Sequence, residues 1–123
     1  MKYALTLLLV PFLILFGLPG PAPAQYAIIE IEKVQIVKSL SGVVRDASGA
    51  PIAGATVAEV SAERKTVIQS TVTDARGAFA LPQHRGELHH LMVSMRNFNP
   101  LVVHVKVSRS ASKLLDLQLN VAT

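Results

Sequence analysis

The stretch Gly42-Val43-Val44-Arg45-Asp46-Ala47-Ser48-Gly49-Ala50-Pro51-Ile52-Ala53-Gly54-Ala55-Thr56-Val57 decides how this chain folds. Leu40, Gly42 and Val44 alternate with Ser41, Val43 and Arg45, the period-two pattern of a strand with two different faces. Asp46 to Pro51 then breaks the run. An aspartate at the start of a turn bonds the backbone N–H two residues on, Gly49 is free to take positive φ, and Pro51 pre-sets φ on the way out. Ala55 to Val60 resumes as a second strand. Gly42 sits inside a strand, where a missing side chain admits the close approach of a neighbour.

The same grammar continues downstream. Ser61 to Lys65 is a polar connection, Thr66 to Thr73 a strand, and Asp74-Ala75-Arg76-Gly77 a second tight turn into Ala78-Phe79-Ala80-Leu81. Pro82 to Glu87 is a loop, Leu88 to Arg96 a strand and Asn97 to Pro100 a turn. Leu101 to Ser108 follows with Val103, Val105 and Val107 inward and His104 on the outer face. Leu115, Leu117 and Leu119 alternate with Asp116 and Gln118 in a last strand. Upstream, Ala27, Ile29 and Ile31 share one face against Glu30 and Glu32, but Val34 and Ile36 fall on the opposite parity, which predicts a bulge, bend or sheet switch near Lys33. Seven or eight short strands with regular turn signals predict an all-β antiparallel sandwich.

Composition divides the 123 residues unevenly. Residues 1–24 carry one charge, Lys2, then an apolar run from Ala4 to Leu18, then a proline-rich exit ending in Ala22-Pro23-Ala24. Charged start, apolar middle and small-residue exit form a secretory signal peptide, expected to be helical and cleaved before Gln25. The apolar run is shorter than the ~20 residues of a membrane span. The expected organisation is therefore a signal peptide over 1–24, an N-terminal strand or arm over 25–39, and a sandwich over 40–123. The implied location is periplasmic or extracellular, with no membrane span left after cleavage. Loss of Lys2 takes the formal charge from +4 to +3, too small to suggest nucleic acid. The absence of cysteine excludes a disulfide framework, a cysteine zinc site, a thiol nucleophile and a lipid-anchored lipoprotein.

Three segments together carry a family resemblance: Gly42 to Val57; Thr71-Val72-Thr73-Asp74-Ala75-Arg76-Gly77-Ala78-Phe79-Ala80-Leu81; and Leu91-Met92-Val93-Ser94 with Asn97-Phe98, closed by Leu115-Asp116-Leu117-Gln118-Leu119. From about Leu40 to Leu119 the chain resembles the carboxypeptidase regulatory-like domain, a transthyretin-like seven-stranded sandwich. The resemblance implies structural turns at Asp46, Gly49, Pro51, Gly54, Asp74, Gly77 and Asn97, with Gly54 allowing a tight chain approach. Phe79, Leu81, Leu91 and Val93 would be core. Asn97 stands before Phe98 where the family usually has glycine; asparagine is the next most tolerant of left-handed geometry. The resemblance implies a fold and an appended, non-catalytic module.

The residues offer little chemistry. His84, His89 and His90 lie near one loop–strand junction and are weak metal candidates, because adjacent strand residues point to opposite faces; solvated loop histidines are the expectation, and no cofactor is expected. No serine lies in a Gly-x-Ser-x-Gly elbow, and the ending Asn120-Val121-Ala122-Thr123 lacks the Tyr-Arg-Gly-Ser terminus that transthyretin-like hydrolases use. Asp46 and Asp74 read as turn residues rather than an acid–base pair. A starch-binding-like glycan module is the alternative class, but beyond residue 24 the aromatics are only Tyr26, Phe79 and Phe98. The two phenylalanines are assigned to core and turn, leaving Tyr26 alone as a stacking platform. The arm presents Tyr26, Ile28, Ile29 and Ile31 with Val34 and Ile36, more apolar surface than a short edge strand needs. The first expectation for it is an ordinary strand of its own sandwich; the functional alternative is a contact surface for another exported or cell-envelope protein.

Overall fold

The computed structural model describes residues 26–83 and 88–123. The expected signal peptide and residues 84–87 of the expected 82–87 loop, His84 among them, lie outside the described residues. Eight strands are described: β1 (Ile29–Val37), β2 (Ser41–Arg45), β3 (Thr56–Val60), β4 (Val67–Val72), β5 (Ala78–Ala80), β6 (His89–Ser94), β7 (Leu101–Val107) and β8 (Leu115–Gln118). They form a five-stranded sheet ordered β1-β7-β6-β3-β4 and a three-stranded sheet ordered β5-β2-β8. Their facing sides supply one core, which includes Leu40, Val44, Val57, Phe79, Leu91, Val93, Val103, Leu115, Leu117 and Leu119. Fully burying one such side chain stabilises the fold by roughly 1.5–3 kcal/mol, so the core outweighs any surface pair.

The expected antiparallel sandwich is corrected to a mixed one. The β3–β4, β3–β6, β6–β7 and β2–β5 pairs are antiparallel, but β1 runs parallel to β7 and β2 parallel to β8. Both parallel pairs join strands distant in sequence. No tight turn links them, so nothing local forces antiparallel pairing.

Local chemistry shapes the turns as the sequence suggests. Asp46 Oδ1 accepts from the N–H groups of Ser48 (2.9 Å) and Ala50 (3.0 Å) and from the Ser48 hydroxyl (2.6 Å). Asp74 Oδ1 repeats the arrangement with the N–H groups of Arg76 and Ala78, both at 2.9 Å. These bonds favour the ionised carboxylates and hold both below the ordinary aspartate range. Gly49 and Gly77 take φ of 91° and 74°, and Asn97 takes 75°, the left-handed geometry expected of it. Gly42 is where a neighbour comes close: a Cβ there would lie 2.1 Å from the Leu115 carbonyl oxygen. Gly54 is not a close approach. A Cβ there would have nothing nearer than the Met95 methyl at 4.0 Å, and what the glycine supplies is a φ of 81°. Pro51 forms an isolated bridge with Arg45.

β1 pairs Ile29 with Leu101 and Ile31 with Val103, then shifts register so that Gln35 faces Val105 and Val37 faces Val107. The expected irregularity near Lys33 is thus a bulge. It keeps odd-numbered residues on the core side, so Val37 is buried while Ile36 is exposed. β1 is an ordinary strand of the larger sheet as well as its edge, and its outer edge pairs with no described strand.

Candidate functional site: the edge strand and the cleft at its root

Side chains on β1 are exposed for a geometric reason. Ile29 and Ile31 share a sheet face with the buried Leu101 and Val103, yet both remain exposed, because a three-stranded sheet does not cover all of a five-stranded one. Ile28 and Ile36 are each 55% exposed. Glu30, Glu32, Lys33 and the bulge lie along the same strand, features that discourage edge-to-edge pairing over its whole length. What β1 offers is a row of aliphatic side chains rather than a clean backbone template.

The root of the arm is tied to the β6–β7 turn. The Asn97 N–H donates to the Tyr26 hydroxyl at 3.2 Å, the Ala27 N–H to Asn99 Oδ1 at 3.1 Å, and the Ile29 N–H to the Pro100 carbonyl at 2.9 Å. The C-terminal segment braces the same turn, with Asn99 N–H on Asn120 O and Ala122 N–H on Asn97 O. Between arm and turn opens a cleft of about 570 Å³, lined by Tyr26, Gly54, Thr56, Ser94, Met95, Arg96, Phe98 and Pro100. Phe98 is half-buried against the core, and Arg96 is exposed at the cleft without an ion-pair partner among the described residues. The structure therefore brings Tyr26 together with Asn97, Gly54 and Phe98, which the sequence reading assigned to separate roles. Tyr26 does not stand alone as an aromatic surface, because Phe98 lines the same cleft.

His89 and His90 are strand residues rather than solvated loop histidines. His89 points into the core side, where Nδ1 lies 2.7 Å from Glu59 Oε2, and both side chains are 2% exposed. Glu59 Oε1 accepts from Gln69 Nε2 at 2.9 Å, and the same nitrogen donates to the Pro82 carbonyl at 2.7 Å. His90 points to the outer side. Its Nδ1 lies 2.7 Å from His104 Nδ1, and His104 Nε2 lies 2.8 Å from Glu30 Oε2. Arg64, from the β3–β4 connection, donates to Glu30 Oε1. Bonds from His104 and Arg64 hold the Glu30 carboxyl below its ordinary range, and partial burial with nearby positive charge pushes His90 down. Among the described residues, no three His, Cys, Asp or Glu side chains converge as a metal cage. Asp46 and Asp74 lie in separate turns, each engaged with its own backbone.

Sequence reasoning missed Glu59, Gln69, Thr73, Arg64 and Arg96. Glu59 is in phase with the buried Ala55 and Val57, and His89 with Leu91 and Val93, so their inward direction was readable from alternation. Thr73 is buried and joins two connections, donating to the Ile52 carbonyl at 2.7 Å and accepting from the Ala55 N–H at 2.8 Å. Arg64 and Arg96 carry no such signal.

Two facing sheets over one core, with twin aspartate turns, define a β-sandwich module. The chain belongs to the carboxypeptidase regulatory-like domain family, whose model matches residues 39–120. No curated protein matches the chain. The family match begins after β1, so the exposed strand and Tyr26 lie outside it.

Proposed function

We propose that this protein is an exported, non-catalytic contact module of the periplasm or cell exterior, and that it docks another exported or cell-envelope protein through β1 and the cleft at its root. The observation that carries this reading is the exposed apolar cluster of Tyr26, Ile28, Ile29 and Ile31, of which Ile29 and Ile31 lie on the face the smaller sheet leaves uncovered, beside a cleft holding Phe98, Met95 and Arg96, which has no ion-pair partner among the described residues. Aliphatic side chains supply area, and the aromatic and arginine side chains are the types that anchor protein contacts. Export rests on the three-part leader of residues 1–24. Site-specific photo-crosslinkers at Ile28 and, on the other sheet, at the exposed Ala80 test the reading in the native cell. A defined adduct is expected from position 28, absent from position 80 and lost when Ile31→Asp is added. Equal adducts from both positions, or none, overturn it.

One observation favours a second reading. Tyr26 and Phe98 line a single cleft with Arg96 beside them, an arrangement that suits an apolar sugar face with polar contacts. Glycan-array binding that disappears in Tyr26→Ala would move the assignment to a glycan-binding module.

A further inference from the structure

We propose that His90 and His104 form a two-histidine site for one borderline divalent metal ion, Zn²⁺ or Cu²⁺, on the outer side of the five-stranded sheet. The two residues are direct cross-strand partners in the β6–β7 register, on the side opposite Leu91, Val103 and the buried His89. Their rings stand nearly perpendicular, at 83°, with Nδ1 facing Nδ1 at 2.7 Å.

Glu30 decides which nitrogen of His104 is available. Its Oε2 lies 2.8 Å from His104 Nε2, so the carboxylate accepts the Nε2–H and leaves Nδ1 with a lone pair directed at His90. Carboxylate, histidine and metal in that order is the usual way a protein orients an imidazole ligand and raises its basicity. In the metal-free pair, His90 donates its Nδ1–H to that lone pair. Shifting this proton to His90 Nε2 directs a second lone pair to the same point. Two imidazole nitrogens on one tetrahedral ion, each at about 2.0–2.1 Å, stand roughly 3.3 Å apart. The pair, at 2.7 Å, needs to open by about 0.6 Å, with each ring tilting so that its lone pair leaves the Nδ1–Nδ1 line and meets the ion. Both rings are half-buried, so water completes the coordination from the open side. The Arg64 guanidinium opposes a cation here, but it is bound to Glu30, whose charge offsets it. Imidazole donors select Zn²⁺ and Cu²⁺ over Mg²⁺ or Ca²⁺, which demand oxygen ligands.

The experiment uses the untagged, metal-stripped protein, titrated with ZnCl₂ by calorimetry and with CuCl₂ by electron paramagnetic resonance. One ion per chain is expected, with two-nitrogen ligation in the copper spectrum. His90→Gln or His104→Gln should each weaken binding at least tenfold, Glu30→Gln roughly tenfold, and His84→Gln not at all. Because a variant could fold poorly, imidazole nitrogen spectra of the unaltered protein give a second readout. Zn²⁺ should move Nδ1 of His90 and His104 and leave His89 in place. Absence of one-to-one binding, undiminished binding in both single variants, loss through His84→Gln alone, or shifts confined to other histidines overturns the proposal.

Discussion

His89 and His90 are neighbours in sequence, on opposite sides of one sheet, and each anchors a polar cluster of a different kind. Inside, His89, Glu59 and Gln69 are joined by bonds of 2.7 and 2.9 Å, and Gln69 closes onto the Pro82 carbonyl. Outside, Arg64, Glu30, His104 and His90 form an open chain across β1, β7 and β6, each member reached by solvent. The difference is set by water. A polar group in the core must find its partners in the protein, so the inner cluster works as structure. On the outer side water shares the bonding, so the chain can rearrange around a proton or an ion at little cost. The same residue type, one position apart, is cement on one side and available chemistry on the other.

The largest expected effect attacks the inner cluster. Glu59→Ala should destabilise the fold by about 3–5 kcal/mol, because it leaves a buried histidine without its carboxylate. Chemical denaturation of the variant measures this. Replacing both partners, as Glu59→Leu with His89→Leu, should cost less than the two single replacements added together, since neither then leaves the other buried without its partner. A cost below about 1 kcal/mol for Glu59→Ala would mean that the inner cluster is not structural, on the scale of a broken buried pair, and the contrast between the two sides would fail.

A smaller effect sharpens the contrast through pH. Burial first, and then the electrostatic influence of the His104 ring and the Arg64 guanidinium, hold the His90 pKa below the ordinary 6.5, while the Glu59 carboxylate acts the other way. With a folded pKa below the unfolded one, the unfolded chain binds the proton more readily. The His90 contribution is therefore fully present above about pH 6.5 and is lost as pH falls through the folded value. Glu30, Asp46 and Asp74 are depressed from 4.5, 3.8 and 3.8, so their contributions hold above those values and are lost on further acidification. Unfolding midpoints of the metal-free protein should fall in two stages, the first below pH 6.5. His90→Gln should remove the first stage and leave the second. A first stage that survives in His90→Gln would assign it elsewhere.

The turns and the core were legible because their causes are local. Asp46 and Asp74 bond backbone groups two and four residues away, and Gly42, Gly49 and Gly77 announce a close approach or a positive φ within the segment that needs it. Pairing order was not legible. That β1 lies beside β7 and β2 beside β8 depends on how two sheets share one core, and nothing in the strand sequences encodes direction. Clusters such as Glu59–His89 are half legible. Alternation turns both residues inward, but only the register, with Glu59 opposite both Leu91 and Gln69, brings them within reach. The outer chain needed the β1–β7 pairing as well, since Glu30 is 74 residues from His104. The cleft failed for the same reason, because Tyr26 and Phe98 meet only when the arm is placed against the β6–β7 turn.

The smallest stability effect should come from Glu30→Gln, and its smallness is the point. Glu30 is partly exposed and bonds to an arginine and a histidine that water also reaches, so screening removes most of what the ion pair gains. The unfolding midpoint at neutral pH should move little, and the small difference from the unaltered protein should shrink further in concentrated salt. The same substitution should nevertheless weaken Zn²⁺ binding roughly tenfold, because it removes the acceptor that holds His104 with Nδ1 free. Stability barely moved and affinity clearly moved is the signature of a side chain that orients another. If Glu30→Gln instead destabilised the fold as much as Glu59→Ala, the outer chain would be cement like the inner cluster, and the two sides of the sheet would differ in exposure alone.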